Sequence, residues 1–154
     1  MKKILLTLAY KTYQVLWWIT RPLLLGVRVI LVRDGQVLLV QHTYQDYWYF
    51  PGGSVKRGET LAQAAERECI EEVGAHLLEP LQLLGMYTNL YEGKSDHIAV
   101  FVSDAFELGE RTDTWEIEET AFFPLDQMPD DLSPGSERRL KDYFANKGPY
   151  VGEW

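Results

Sequence analysis

A capped amphipathic helix stands near the middle of this chain of 154 residues. Thr60 and Gln63 have the spacing of a capping box, in which each side chain bonds the other residue's backbone N–H, so a helix is predicted to begin here. Gly74 suits the left-handed conformation that ends many helices, which predicts a helix over residues 60–73. The apolar stripe of this helix consists of Leu61, Ala64, Ala65 and Cys69.

Strand-like segments lie on both sides of the helix. Asp34-Gly35, a dipeptide typical of tight hairpin turns, separates two alternating apolar runs. The predicted strands are 24–33, 36–42, 81–88, 97–106 and 118–125, with a polar loop over 91–95. Ser133-Pro134 suits the start of a last helix, which is predicted to reach about residue 146. Interleaved helices and strands indicate a single α/β (α+β) domain.

The N-terminal residues predict a separate amphipathic helix. Its narrow polar stripe consists of Lys3, Thr7, Lys11, Gln14 and Arg21, and Pro22 discourages continuation. No run is long enough for a membrane span, and no signal-peptide cleavage pattern follows the apolar start. The predicted parts are this helix (1–21), a body (22–147) and a C-terminal tail (148–154). We expect the helix either to pack on the body or on a second copy in a homodimer, or to lie on an acidic membrane surface.

Charge is distributed unevenly along the chain. The net charge is −8, but the first 33 residues hold six basic residues and no acidic one, so the rest carries −14. A net negative chain is a poor general binder of duplex nucleic acid, whose affinity comes mostly from neutralised phosphates. An acidic body would need metal ions to handle an anionic substrate. The single cysteine, Cys69, excludes an internal disulfide and a cysteine-based zinc site, and it fits a cytoplasmic location.

Three glutamates crowd one side of the central helix. Glu68 and Glu72 are four residues apart and Glu71 is three from Glu68, a spacing that destabilises a helix by about 0.2–0.5 kcal/mol per like-charged pair. Hard oxygen donors without His or Cys nearby suit Mg²⁺ or Mn²⁺. The glycines of Pro51-Gly52-Gly53 let the backbone approach a ligand closely. The pattern therefore favours metal-assisted chemistry on a phosphorylated substrate. A solvated acidic helix face is the alternative.

Residues 53–75 resemble the signature of the Nudix hydrolase family. That signature is G-x5-E-x7-R-E-U-x-E-E-x-G-U, where U is a bulky aliphatic residue, and its seven fixed residues are all present: Gly53, Glu59, Arg67, Glu68, Glu71, Glu72 and Gly74. Cys69 and Ala75 replace two of the aliphatic residues, a change that concerns packing under the helix. The resemblance implies a Nudix-like α/β/α sandwich with a mixed sheet, and Mg²⁺- or Mn²⁺-dependent cleavage of the diphosphate linkage of a nucleoside diphosphate derivative. A non-catalytic nucleotide-binding sensor of the same fold is the alternative.

The resemblance also implies roles for single residues. Glu68 and Glu72 would be the principal metal ligands, Glu71 a further ligand or the general base, and the carbonyl of Gly52 another ligand. Glu119 is the second candidate for the base, favoured among the acids at 116–119. The candidate substrate contacts are Tyr44, Trp48, His97 and Arg67, although Arg67 is expected chiefly to pair with Glu59. The substrate is expected to be a small nucleotide, and the sequence leaves open which one.

Overall fold

The computed structural model describes residues 2–20, 22–90, 94–112 and 115–154. The helices in these parts are α1 (Lys2–Thr20), α2 (Leu61–Val73) and α3 (Pro134–Ala145). The strands are β1 (Leu23–Arg33), β2 (Gln36–His42), β3 (Trp48–Tyr49), β4 (Ala75–Leu77), β5 (Gln82–Asn89), β6 (Ser95–Ser103), β7 (Phe106–Leu108), β8 (Ile117–Pro124) and β9 (Tyr150–Glu153).

Seven of the strands form one mixed sheet. Its order is β3-β2-β1-β6-β5-β9, and β8 pairs with β2 as a further neighbour. β1 is parallel to β6 and β5 is parallel to β9, whereas the other pairs are antiparallel. β4 and β7 form a separate two-stranded sheet.

The core has two layers, one on each face of the large sheet. Because side chains alternate along a strand, Val29 and Leu31 of β1 pack in the layer that contains Cys69 of α2. Ile30, between them, packs in the layer that contains Leu140 of α3. The predicted α/β/α sandwich with a mixed sheet is confirmed.

Local sequence signals predicted several boundaries correctly. Asp34 and Gly35 have φ of 51° and 74°, the backbone that a two-residue hairpin turn requires. Both bonds of the Thr60–Gln63 capping box are formed, and Gly74 ends α2 in the left-handed conformation with φ of 68°. The Ser133 side chain caps α3 by accepting a hydrogen bond from the Ser136 N–H.

Other segments differ from expectation. The predicted strand 97–106 is divided into β6 and β7, because the chain turns where the Ser103 hydroxyl accepts a hydrogen bond from the Ala105 N–H at 3.3 Å. Within the predicted C-terminal tail, β9 pairs with β5, so this segment belongs to the sheet. Three residues of the predicted loop, 91–93, and residues 1 and 21 of the predicted N-terminal helix lie outside the described residues.

Helix α1 is present as predicted and precedes the sandwich. The ring of Tyr10 lies 5.3 Å from the ring of Tyr44, measured between centroids, and the Gln45 side chain donates a 3.3 Å hydrogen bond to the Tyr10 hydroxyl. In the described parts of the chain, no helix combines the length and apolar character needed to cross a membrane.

Candidate active site

The loop before α2 is held beside the first half of β1. The N–H groups of Val29 and Val27 donate to the carbonyl oxygens of Pro51 and Gly53, both at 2.9 Å. Gly52 has φ of 145°, and a Cβ at this position would lie 2.1 Å from the carbonyl oxygen of Val27. Only glycine fits here without strain, so the loop depends on Gly52 for its path along β1.

Two carboxylates of α2 lie against this loop. Glu72 is only 4% exposed and accepts a 2.8 Å hydrogen bond from the Gly52 N–H. Oε1 of Glu68 lies 2.6 Å from where a Cβ on Gly53 would be, so the missing side chain of Gly53 makes room for this carboxylate. Since Glu68 and Glu72 are one helical turn apart, both face the glycine loop.

Arg67 donates hydrogen bonds to the surrounding carboxylates, and all five N–H donors of its guanidinium are used. Nε and Nη2 donate to Glu59 at 2.7 and 3.0 Å, and Nη2 also donates to the Ser54 carbonyl at 3.0 Å. Nη1 donates to Glu68 at 2.6 Å and to Glu71 at 3.0 Å. The hydrogen bonds from Arg67 are the main reason that the pKa of Glu59 is lowered to about 2. The expected Glu59–Arg67 pair is formed. Arg67 also lines the cavity described below, so its contact with substrate stays a prediction, although its donors are engaged by these partners.

The four residues predicted to supply metal ligands line one cavity, namely Glu68, Glu71, Glu72 and Gly52. In the part of the chain that the structure describes, no three acidic, His or Cys side chains are arranged as a ready-made metal cage. Arg67 binds two of the carboxylates, and the Gly52 carbonyl accepts a 2.7 Å bond from Nη1 of Arg28. Two arginines therefore supply positive charge beside these oxygens. A donor set made only of hard oxygens fits Mg²⁺ or Mn²⁺.

The cavity has a volume of about 470 Å³ and carries charges of both signs. Its wall includes three basic side chains outside the glutamate cluster, Arg28, Lys56 and Lys94. Nζ of Lys56 lies 3.9 Å from Glu71, and Nζ of Lys94 lies 3.6 Å from Asp96. Basic groups beside a carboxylate cluster suit a phosphorylated ligand. Sequence reasoning missed these three residues, because they come from separate segments without a shared motif.

Comparison with known families agrees with this geometry, since the NUDIX domain profile matches residues 22–143. The chain belongs to the Nudix hydrolase family. It is therefore a hydrolase that acts on phosphoric anhydrides.

This Nudix hydrolase is similar to several known proteins. It is 31% identical to the ADP-ribose pyrophosphatase of Methanocaldococcus jannaschii over 123 residues, which are 77% of this chain and 71% of that protein. It is 34% identical over 83 residues to the Nudix hydrolase YvcI of Bacillus subtilis, and this match spans about half of each protein, 50% and 51%. The solved structure of a MutT Nudix hydrolase from Burkholderia pseudomallei matches with a TM-score of 0.70 at 27% identity, over 78% of this chain and 97% of that one.

An aromatic cluster forms another wall of the cavity in this Nudix hydrolase. Tyr44, a predicted substrate contact, lines the cavity, and its ring lies 5.3 Å from the rings of both Tyr10 and His42. Burial raises the pKa of Tyr44, and the charge of Glu116 raises it further. Tyr10 and Gln45 also line the cavity. Sequence reasoning missed Tyr10, because no local pattern relates α1 to the segment that follows β2.

Two predicted substrate contacts lie elsewhere in the Nudix fold. Trp48 is 7% exposed and packs edge-on against Phe123 at 4.9 Å, so it belongs to the core. His97 lies between Asp96 and Ile98 on β6, and both of these neighbours line the cavity. Because alternate side chains of a strand point to opposite faces, His97 points away from the cavity. The structure corrects both predictions.

The structure also separates the two candidates for the general base. Glu119 lies on β8 opposite Gln41, and its exposed side chain is outside the cavity, which corrects the prediction for this residue. Glu71 lines the cavity, with 38% of its side chain exposed. Glu116, three residues before Glu119, lines it as well.

Proposed function

We propose that this Nudix hydrolase cleaves the diphosphate linkage of a nucleoside diphosphate derivative, with Mg²⁺ or Mn²⁺ bound. The observation that carries the proposal is that Glu68 and Glu72 meet the Gly52–Gly53 loop at a cavity with basic walls. The burial of Glu72 argues against the alternative of a solvated acidic face, because a charged side chain is buried only with partners.

Each residue of the cluster has a proposed role. Glu68, Glu72 and the Gly52 carbonyl would hold the metal ion, and Arg67 positions Glu68. When bound there, a dication neutralises charge on the diphosphate and lowers the pKa of the attacking water. Arg28 and Lys56 would bind the diphosphate oxygens.

We propose Glu71 as the residue that accepts the proton of the attacking water, with a role as a further ligand as the alternative. Among the three glutamates, its side chain is the most exposed, at 38% against 12% for Glu68, so water reaches it most easily. Hydrolysis would then form a bond from the water oxygen to one phosphorus and break the bond from that phosphorus to the bridging oxygen.

We propose a small nucleotide of the ADP-ribose type as the substrate, in a cytoplasmic location. The name of the M. jannaschii relative supports this class, as do the rings of Tyr10 and Tyr44 beside the cavity, because aromatic rings stack on nucleobases. The single cysteine, Cys69, is free, and a chain without an internal disulfide fits a compartment in which thiols stay reduced.

A hydrolysis panel tests the proposal. The compounds are ADP-ribose, a UDP-sugar, a dinucleoside polyphosphate, an oxidised nucleoside triphosphate and a capped RNA end, each with and without Mg²⁺ or Mn²⁺. Product masses in ¹⁸O-labelled water identify the bond that is cut. We expect metal-dependent cleavage of ADP-ribose at the diphosphate. Tight binding of a nucleotide without any turnover would favour the non-catalytic sensor.

Calorimetry tests the metal site separately. Wild-type protein should take up Mg²⁺ or Mn²⁺, and Glu68→Gln should lose this uptake. Glu66→Gln is the matched control, because Glu66 is exposed on the same helix and outside the cavity. Equal uptake by all three proteins would contradict the ligand assignment.

A further inference from the structure

Among the residues of α1 whose exposure the structure describes, the half-buried ones lie on one side of the helix. They are Leu6, Thr7, Tyr10 and Gln14. At 3.6 residues per turn these four lie within an arc of about 100°. Among them, Tyr10 makes the ring contact with Tyr44 and the hydrogen bond with Gln45. This side of the helix is therefore the one that docks on the sandwich.

The opposite side of α1 is mainly apolar and exposed to solvent. Six apolar residues between 49% and 73% exposed lie within an arc of about 120°, and they define the outward face: Ile4, Leu5, Leu8, Val15, Leu16 and Ile19. Thr12 lies in the same arc, and its hydroxyl donates a 3.0 Å hydrogen bond to the Leu8 carbonyl within the helix. A helix on the surface of a water-soluble domain normally presents polar residues on this side. A contiguous apolar surface of this kind marks an interaction site.

Charge indicates what covers the outward face. Lys11 is exposed at one border of the face, beside Trp18, which is 70% exposed. In the sequence, further basic residues stand at positions 2, 3 and 21, and the first acidic residue is Asp34. The chain from residue 34 to the end carries a strong negative charge. An apolar helix face bordered by lysine and tryptophan is typical of helices that lie at membrane–water interfaces.

We propose that the outward face of α1 binds the surface of a membrane that contains acidic lipids. Acidic headgroups would neutralise Lys11 while the apolar side chains enter the boundary with the acyl chains. The same lipids would repel the acidic sandwich. Helix α1 would therefore lie between the sandwich and the membrane surface. Two copies joined through this face would instead bring two basic helices together, a like-charged contact that costs free energy.

Co-sedimentation with lipid vesicles tests the proposal. One set of vesicles contains phosphatidylcholine and phosphatidylserine in equal parts, and the other contains phosphatidylcholine alone. We expect the full chain to sediment with the first set at low salt and to remain in solution with the second. Because each surface cation contributes about 1 kcal/mol of attraction, Lys11→Gln should lower the partition coefficient about fivefold. Lys147→Gln, the same change at an exposed position outside α1, should leave it unchanged.

A second pair of variants separates apolar insertion from charge. Leu8→Gln combined with Ile19→Gln should abolish sedimentation, whereas Val151→Gln, at a position 92% exposed on β9, should not. The thermal unfolding midpoint of each variant shows whether the fold is kept. The proposal is overturned if wild-type protein fails to sediment with either set, or if it sediments equally with both. It is also overturned if the chain is a dimer without lipid that the double variant converts to a monomer.

Discussion

The backbone N–H of Gly52 donates a 2.8 Å hydrogen bond to the carboxylate of Glu72, twenty residues further along the chain. Gly52 is held in a conformation that favours glycine, and Glu72 is buried. Because of this hydrogen bond, the orientation of Glu72, a proposed metal ligand, depends on the backbone conformation of the loop at Gly52.

Glu72→Gln should remove most of the hydrolytic activity and preserve the fold. The amide oxygen can still accept the Gly52 N–H, but a neutral side chain no longer balances a dication. We expect kcat/KM to fall by about 10²–10³-fold, as is typical when a preorganised charge-stabilising group is lost. Glu66→Gln, measured in the same metal-dependent assay, should retain wild-type activity. Similar losses in both variants would contradict the assignment.

Gly52→Ala should destabilise the protein. The new Cβ would lie 2.1 Å from the Val27 carbonyl oxygen, and φ of 145° is unfavourable for alanine. We expect the free energy of unfolding to fall by about 1–3 kcal/mol or more, measured by urea denaturation. Gly152→Ala is the control, because a Cβ there meets no atom within 4 Å. A Gly52→Ala variant as stable as this control would show that the loop can take another path.

Glu71→Gln should lower turnover by about 10²-fold, because it removes the proposed proton acceptor. Glu119→Gln should leave turnover unchanged, because that side chain lies outside the cavity. The pH dependence of kcat identifies the group, since the acidic limb should disappear in the Glu71 variant. If the limb disappears in Glu116→Gln instead, the role belongs to Glu116.

Glu59→Gln should reduce stability in a pH-dependent way. The pKa of Glu59 is lowered from 4.5 to about 2, so the charged form is favoured in the folded state. Its stabilisation is therefore complete above the pKa of the unfolded chain and is lost as the pH falls towards about 2. Urea midpoints should show the largest difference from wild type at neutral pH and a shrinking difference below about 4.5. A constant difference across this range would contradict the role of the ion pair.

Tyr10→Ala should raise KM by about five- to tenfold and leave kcat near the wild-type value. Loss of one stacking ring costs about 1 kcal/mol or more per base, and Tyr10 has no proposed role in holding the metal ion or in proton transfer. Tyr13→Ala is the control, because Tyr13 is 57% exposed on the same helix and does not line the cavity. Equal KM values in the two variants would exclude Tyr10 from substrate binding.

Features that depend on neighbours within a few residues could be predicted from the sequence. The capping box of Thr60 and Gln63, the turn at Asp34-Gly35 and the alignment of Glu68 with Glu72 each involve groups no more than four residues apart. Backbone geometry alone brings such groups together. The family signature made it possible to predict the whole sandwich as well. Its spacing fixes the position of the glycine loop relative to the helix that follows.

The tertiary structure determines which side chains complete the cavity. Tyr10 meets Gln45 across 35 residues, and Arg28 reaches the Gly52 carbonyl across 24, so both contacts depend on the path of the whole chain. In a strand as short as β3 the pattern does not show which face a residue takes, and the pairing of β3 with β2 placed Trp48 in the core. The sequence by itself determined which chemical groups one helix presents together, because helical spacing is local. Only the folded sheet decided which distant side chains surround them, because strand order and register set those distances.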